Sequence, residues 1–170
     1  MRPDSSAVTS FGVQKIDKAV GFYISDANLA LESKSAGGSG YQVRYLPYRD
    51  IEPGFYKALT EVFTKVVKVE DPRDALTLTN DGLTLVLVPT IQTTSFSPSI
   101  LTWPPTQFTV TLDCRITNVD GSSLTNIHVI GTGSAEFSEF KDNFSLSAAR
   151  ASEDALKKLM VALRENAALR

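Results

Sequence analysis

The stretch QFTVTLDCRITNVDGSSLTNIHVIGTGSAEF, Gln107 to Phe137, decides the fold. In its first half Phe108, Val110, Leu112, Cys114 and Ile116 alternate with Thr109, Thr111, Asp113, Arg115 and Thr117. Successive side chains of a strand point to opposite faces, so this alternation sets one face in a core and the other in water. Asp120-Gly121 separates the run from a second one, and Asp-Gly between alternating segments predicts a hairpin closed by a tight primed turn. The return strand, Ser123 to Phe137, carries Val129, Gly131, Gly133 and Ala135 on one register. Residues that small let a helix lie close against the sheet.

The flanking sequence extends this hairpin into a sheet with helices. Lys18 to Ser25 predicts a strand with Val20, Phe22 and Ile24 on one face, and Tyr41 to Leu46 alternates again. Asp50 to Gly54 opens a helix, with Asp50 placed to cap it and Pro53 in its first turn, where a missing N–H costs little. Phe55, Leu59, Val62, Phe63 and Val66 give that helix an apolar face, and Val66 to Val69 reads as a strand. A short acidic segment follows Asp71-Pro72. Leu83 to Val88 is apolar enough for a central strand, Pro89 ends or interrupts its pairing, and Ile91 to Phe96 is a more exposed extension. The closing helix, Leu146 to Glu165, has Ala149, Ser152, Ala155, Leu156, Leu159, Met160 and Leu163 as its inner stripe. Glu153 and Lys157 stand four apart on its outer side in the favourable order. The expected architecture is a single α+β domain over residues 18–170, with an antiparallel or mixed sheet and two main helices packed on one face. Residues 1–17 read as a polar leader or tether.

Bulk composition narrows the functional classes. Hydrophobic residues make up 42% and charged residues 21% of the 170 positions, as in ordinary globular domains. The 17 basic and 19 acidic residues leave a formal net charge of −2, which offers no overall attraction to nucleic acid. Cys114 is the only cysteine, so no intramolecular disulfide forms, and its place on the apolar register predicts a buried, inert thiol. No apolar run approaches the roughly 18 residues of a membrane-spanning helix. Met1 to Ser6 lacks the apolar core of a signal peptide. A cytoplasmic start and a start whose natural signal segment has been replaced by Met1 both fit.

No catalytic or cofactor signature emerges from the residues. His128, the only histidine, lies in the return strand and reads as a sheet-surface side chain. One Cys and one His do not make a zinc site of the usual kind, and Asp113, Asp120 and Glu136 read as the solvent face and turn of the hairpin. Gly37-Gly38-Ser39-Gly40 precedes a strand rather than a helix and lacks the Lys-Ser/Thr of a phosphate loop. The chain is therefore expected to be non-enzymatic and to bind no cofactor or metal.

Recognition is the better prospect. Tyr45, Tyr48 and Arg49 are residue types that anchor protein interfaces, and Trp103 stands before two prolines in the loop Ser97 to Pro105. These four are the candidate partner contacts, served by that loop, the loop Ser33 to Gly40 and an exposed sheet edge. The alternative is a small-molecule or lipid pocket between helix and sheet, lined by Phe55, Phe63 and Leu156.

Three segments carry a family likeness: Tyr48-Arg49-Asp50-Ile51-Glu52-Pro53-Gly54, the strand Val129 to Glu136, and the closing helix with Ala148-Ala149-Arg150-Ala151 and Ala155-Leu156. Together they resemble the mature part of small Gram-negative envelope lipoproteins, mostly uncharacterised. Their fold is similar to the N-terminal domain of TolB and to the lipopolysaccharide-assembly lipoprotein. The resemblance covers residues 18–165 and implies a periplasm-facing domain tethered to the outer membrane through a lipidated N-terminal cysteine. It also implies an envelope protein or glycan as partner and leaves room for a homo-oligomer. The family lends no catalytic residue, and the lipidated cysteine itself has no counterpart in this sequence.

Overall fold

The structure, a computed structural model, describes residues 1–9, 12–35, 43–96, 107–140, 143 and 145–170. Its elements run β1 (Ile16–Phe22), α1 (Asp26–Leu29), β2 (Ser33–Lys34), β3 (Arg44–Tyr45), α2 (Pro47–Val62), β4 (Phe63–Lys68) and α3 (Ala75–Asn80). They continue with β5 (Leu85–Phe96), β6 (Gln107–Asn118), β7 (Ser123–Ser134), α4 (Phe137–Phe140) and α5 (Leu146–Glu165). The main sheet has the order β4-β1-β5-β6-β7, and β2 with β3 forms a separate short ribbon. β1 runs parallel to β4 and β5, whereas β5, β6 and β7 are antiparallel, so the sheet is mixed. The expected α+β domain is the observed one.

The hairpin forms as its alternation dictates. Phe108, Val110, Leu112, Cys114 and Ile116 are buried, while their neighbours face outward. The connection differs from the two-residue primed turn, because four residues, Val119 to Ser122, join the strands. The Gly121 N–H donates to the Asn118 carbonyl at 3.0 Å, and Gly121 itself takes φ +84°. Gly121, the third of these four residues, takes the left-handed conformation, which suits Gly. Asp120 serves instead as an acceptor for the Ser122 N–H at 2.8 Å.

α2 begins one turn earlier than the sequence suggests. Pro47 occupies the first turn, the Asp50 N–H already donates to the Leu46 carbonyl at 2.9 Å, and Pro53 lies inside the helix. Two prolines compete for the favoured first-turn position, and the earlier one takes it. The apolar stripe then changes period at Val62, and Phe63 to Lys68 pair with β1, Val20 standing beside Val66. Pro89 does not end β5, which continues to Phe96. Beyond Leu87 the side of β5 that faced β1 has no strand beside it, so a residue without an N–H is tolerated there.

Two apolar layers sandwich the sheet unequally. The main core unites α2 and α5 with one face, and Phe55, Phe63, Leu112, Leu156 and Leu159 are fully buried in it. The Phe22 ring meets Phe55 edge-on at 5.8 Å. Phe55, Phe63 and Leu156 thus fill the space where a ligand pocket was the alternative expectation. On the other face a small cluster of Val69, Leu78, Leu83 and Val86 sits beneath α3. That helix lies in the segment read as merely acidic. Its start is fixed by Asp74, whose side chain accepts the Thr77 N–H at 3.1 Å.

Residues 1–9, expected as part of a polar leader or tether, pack onto the domain. Met1 and Val8 are buried, the Asp4 N–H donates to Glu153 at 3.0 Å, and the Ser152 hydroxyl donates to the Met1 carbonyl at 3.2 Å.

Candidate functional site

Two of the candidate contacts, Tyr45 and Tyr48, lie against the part of β5 that runs past the end of β1. β3 leads directly into α2, so Tyr45 and Tyr48 straddle the junction and both reach the exposed flank of β5. The Tyr48 hydroxyl accepts the Ile91 N–H at 3.0 Å, and the Tyr45 hydroxyl shares a hydrogen bond with Thr93 Oγ1 at 2.7 Å. Tyr48 thus satisfies a main-chain amide on the flank of β5 that has no strand beyond Leu87, and Tyr45 bonds a side chain beside it. Tyr48 is only 4% exposed, so its expected role as a partner contact is corrected: it is a core residue satisfying a buried amide.

Tyr45 is half-buried, with its ring edge-on to Phe108 at 5.6 Å. Burial raises its phenol above the ordinary value, and the Thr93 hydrogen bond opposes this only in part. Beside it lies a cavity of about 100 Å³ lined by Met1, Ser35, Val43, Tyr45, Phe108, Ser145, Ser147 and Ala148. Ser35 is held at its wall by the ribbon, donating its N–H to the Val43 carbonyl at 2.9 Å and accepting the Val43 N–H on Oγ at 3.2 Å. The volume is far below the ~300 Å³ and upward of a drug-sized ligand site and matches a single anchoring side chain.

Val43, at the wall of this cavity, is 37% exposed, whereas Phe96, 60% exposed at the end of β5, lies on the sheet face opposite Phe108. Arg49, on the first turns of α2, is exposed and makes no ion pair among the described residues. Trp103 and most of the loops Ser33 to Gly40 and Ser97 to Pro105 lie outside the described residues. Val43 and Phe96 were not singled out from sequence. Phe96 had a usable signal, because it continues the outward register of an exposed strand extension.

The sheet face away from the helices holds the other chemically interesting group. Register places Thr90, Asp113 and His128 side by side across β5, β6 and β7. His128 Nδ1 lies 2.6 Å from Asp113 Oδ1, with the two side chains 54% and 35% exposed. A carboxylate therefore orients the imidazole, but on an open surface where water screens both. Cys114 is fully buried on the opposite face, and desolvation pushes its thiol up to about 12, far from a reactive thiolate. Among the described residues no three His, Cys, Asp or Glu side chains gather as a metal site would require.

The sheet edges differ in a way that bears on recognition. Along β7, Arg150 Nη1 donates to the Ser134 carbonyl at 2.8 Å and the Thr132 N–H donates to Asp154 at 2.9 Å. Lys158 Nζ donates to the Ile130 carbonyl at 2.9 Å and to Asp154 at 2.7 Å. Residues four apart on α5 thus meet residues two apart on β7, since the ~6 Å rise of four helical residues nearly matches the ~6.8 Å of two strand residues. These side chains occupy the row that a partner strand would use. The other edge is β4, whose Lys65 and Lys68 are engaged with the Asp81 carbonyl and with Glu52. Short edges carrying lysine resist strand pairing.

No family model matches this chain, and no curated protein matches it. Among solved structures, a PelC dodecamer from Paraburkholderia phytofirmans aligns with a TM-score of 0.47 at 12% identity, over 93% of this chain and 96% of that one. Protein XCC0632 from Xanthomonas campestris, of family DUF330, aligns with a TM-score of 0.55 at 10% identity, over 92% of this chain and 87% of that one. At that identity the likeness is one of fold: the chain folds as the DUF330 protein does.

Proposed function

We propose that this protein is a non-catalytic binding or assembly module, a periplasm-facing lipoprotein held at the outer membrane. In this reading it takes an envelope protein or glycan at the Tyr45 end of its sheet. The observation that carries the binding role is the pairing of a side-chain-sized cavity beside Tyr45 and Phe108 with the exposed Val43 at its wall. A rigid pocket flanked by apolar surface is the arrangement in which one buried anchor supplies most of an interface's energy. Tyr45 and Phe108 shape the pocket, and Val43 supplies apolar contact at its wall. The envelope location comes from the sequence resemblance. No helix among the described residues is long and apolar enough to cross a membrane, so a lipid tether would supply the attachment.

The test is capture from envelope extracts of the source organism on immobilised protein, comparing wild type with Val43→Glu, Phe96→Ser, Arg49→Ala and Trp103→Ala. The expected result is a partner lost in the Val43 variant and kept by Phe96→Ser, which alters the opposite sheet face, with the circular dichroism of each variant unchanged. Equal recovery by all four variants rejects this surface. Fractionation of cells carrying the full gene, with labelled palmitate, tests the tether; an unlabelled cytosolic product rejects the location.

A further inference from the structure

The end of the sheet opposite Tyr45 carries a groove of about 520 Å³ whose walls include Val13, Lys15, Ile16, Lys18, Arg164 and Arg170. It lies where β1 begins and α5 ends, a strand length of on the order of 40 Å from the tip of β5. Four of its lining side chains are cationic and one, Asp17, is acidic. Lys15 and Lys18 make no ion pair or side-chain hydrogen bond among the described residues. The arginines are held in place by the helix ends: Arg164 Nη2 donates to the Glu61 carbonyl at 2.9 Å, and Arg170 donates through Nε and Nη2 to the Arg164 carbonyl at 3.3 and 3.1 Å. Asp17 accepts the Thr64 hydroxyl at 3.3 Å. Val13 is half exposed beside these cations.

We infer that this groove is a binding site for a phosphate-bearing anion, with Lys15, Lys18 and Arg170 taking the phosphate and Val13 and Ile16 taking an apolar part of the ligand. Fixed guanidinium groups with free ammonium groups beside them match a phosphate group, whose several oxygens accept from several donors at once, better than a single carboxylate. The formal charge of the whole chain is −2, so the concentration of cations here is local and is not a by-product of composition. The site is independent of the partner surface at the Tyr45 end and stands or falls without it.

The test compares wild type, Lys15→Gln/Lys18→Gln and a control pair of equal charge change, Lys157→Gln/Arg73→Gln, whose positions are exposed elsewhere. Glycerol 3-phosphate is titrated calorimetrically, and vesicles of phosphatidylglycerol or of phosphatidylcholine alone are tested by co-sedimentation. The expected result is binding of glycerol 3-phosphate, of phosphatidylglycerol vesicles, or of both. It should be at least tenfold weaker in the groove variant, changed less than twofold in the control, and suppressed by raised salt. Binding of the soluble phosphate marks a free ligand as the source, and binding of phosphatidylglycerol alone marks a lipid headgroup. Absence of binding to every probe, equal binding to phosphatidylcholine, or equal loss in the control pair overturns the assignment.

Discussion

The hydroxyl of Tyr48 accepts the amide hydrogen of Ile91 at 3.0 Å, deep beneath the start of α2. This bond substitutes for a missing strand on the flank of β5. Tyr48→Phe removes the acceptor and keeps the ring, leaving the Ile91 N–H buried and unpaired, at a cost of about 1–3 kcal/mol. Urea denaturation should show that loss with an unchanged m-value. Partner capture by the variant should equal that of wild type, because Tyr48 has no surface to offer. A stability within about 0.3 kcal/mol of wild type would mean water replaces the hydroxyl.

That bond also marks how far the sequence could be read. The β6–β7 hairpin and α5 were legible because alternation and helical spacing are written into consecutive residues. Parallel pairing of Ile16 with Phe63 was not, since two short apolar runs so far apart carry no local sign of each other. Tyr45 and Tyr48 read as partner anchors because residue type does not say which way an aromatic faces. Only the end of β1 at Phe22, leaving β5 uncovered beyond Leu87, turns them inward. Helical spacing gave no sign that Arg150, Asp154 and Lys158 would bond to β7, and the helix pair that forms is Asp154–Lys158 rather than Glu153–Lys157. Of the candidate site, Tyr45 was legible in the sequence, although its half-buried place was not; Val43 gains significance only from the cavity it lines.

The small register of β7 is a tighter constraint than residue size suggests. A Cβ at Gly131 would lie 2.2 Å from the Ala151 carbonyl oxygen and 2.3 Å from the Ala155 nitrogen. Both are backbone atoms, so the helix must lift as a body. Gly131→Ala should destabilise the fold by about 2–3 kcal/mol. Adding Ala155→Gly should not restore it, because trimming a side chain does not move the main chain. Recovery of the melting temperature in that double variant would show that α5 sits further from the sheet.

Glu139 of α4 is tied to Arg150 of α5 by two bonds, Arg150 Nη2 to Oε1 at 2.8 Å and Nη1 to Oε2 at 3.0 Å. The Arg150 hydrogen bonds, aided by the Glu136 N–H, hold its carboxyl down to about 2 from an ordinary 4.5. A depressed folded value means that the contact contributes fully above about pH 4.5 and is lost as the pH falls through about 2. Side-chain NMR of Glu139 should therefore show an ionised carboxylate at pH 3, where free glutamate is mostly protonated. Titration near 4.5 would show that water screens the pair in solution.

The closed edge of β7 makes the final prediction. Arg150, Asp154 and Lys158 reach Ser134, Thr132 and Ile130 and occupy the groups another strand would seek. Each bond lies at the surface, so the three together contribute modestly to stability. Their larger effect is on association, because an uncovered twelve-residue strand is a template for pairing. The triple variant Arg150→Ala/Asp154→Ala/Lys158→Ala should lose about 1–2 kcal/mol in denaturant while gaining a concentration-dependent increase in light scattering and thioflavin signal. The matched variant Lys65→Ala/Lys68→Ala uncovers β4 and separates the two edges, since it should scatter more only if β4 is held back by its lysines. Scattering by the β7 triple variant indistinguishable from wild type, with stability lowered as expected, would show that α5 guards this edge by its bulk rather than by these three side chains.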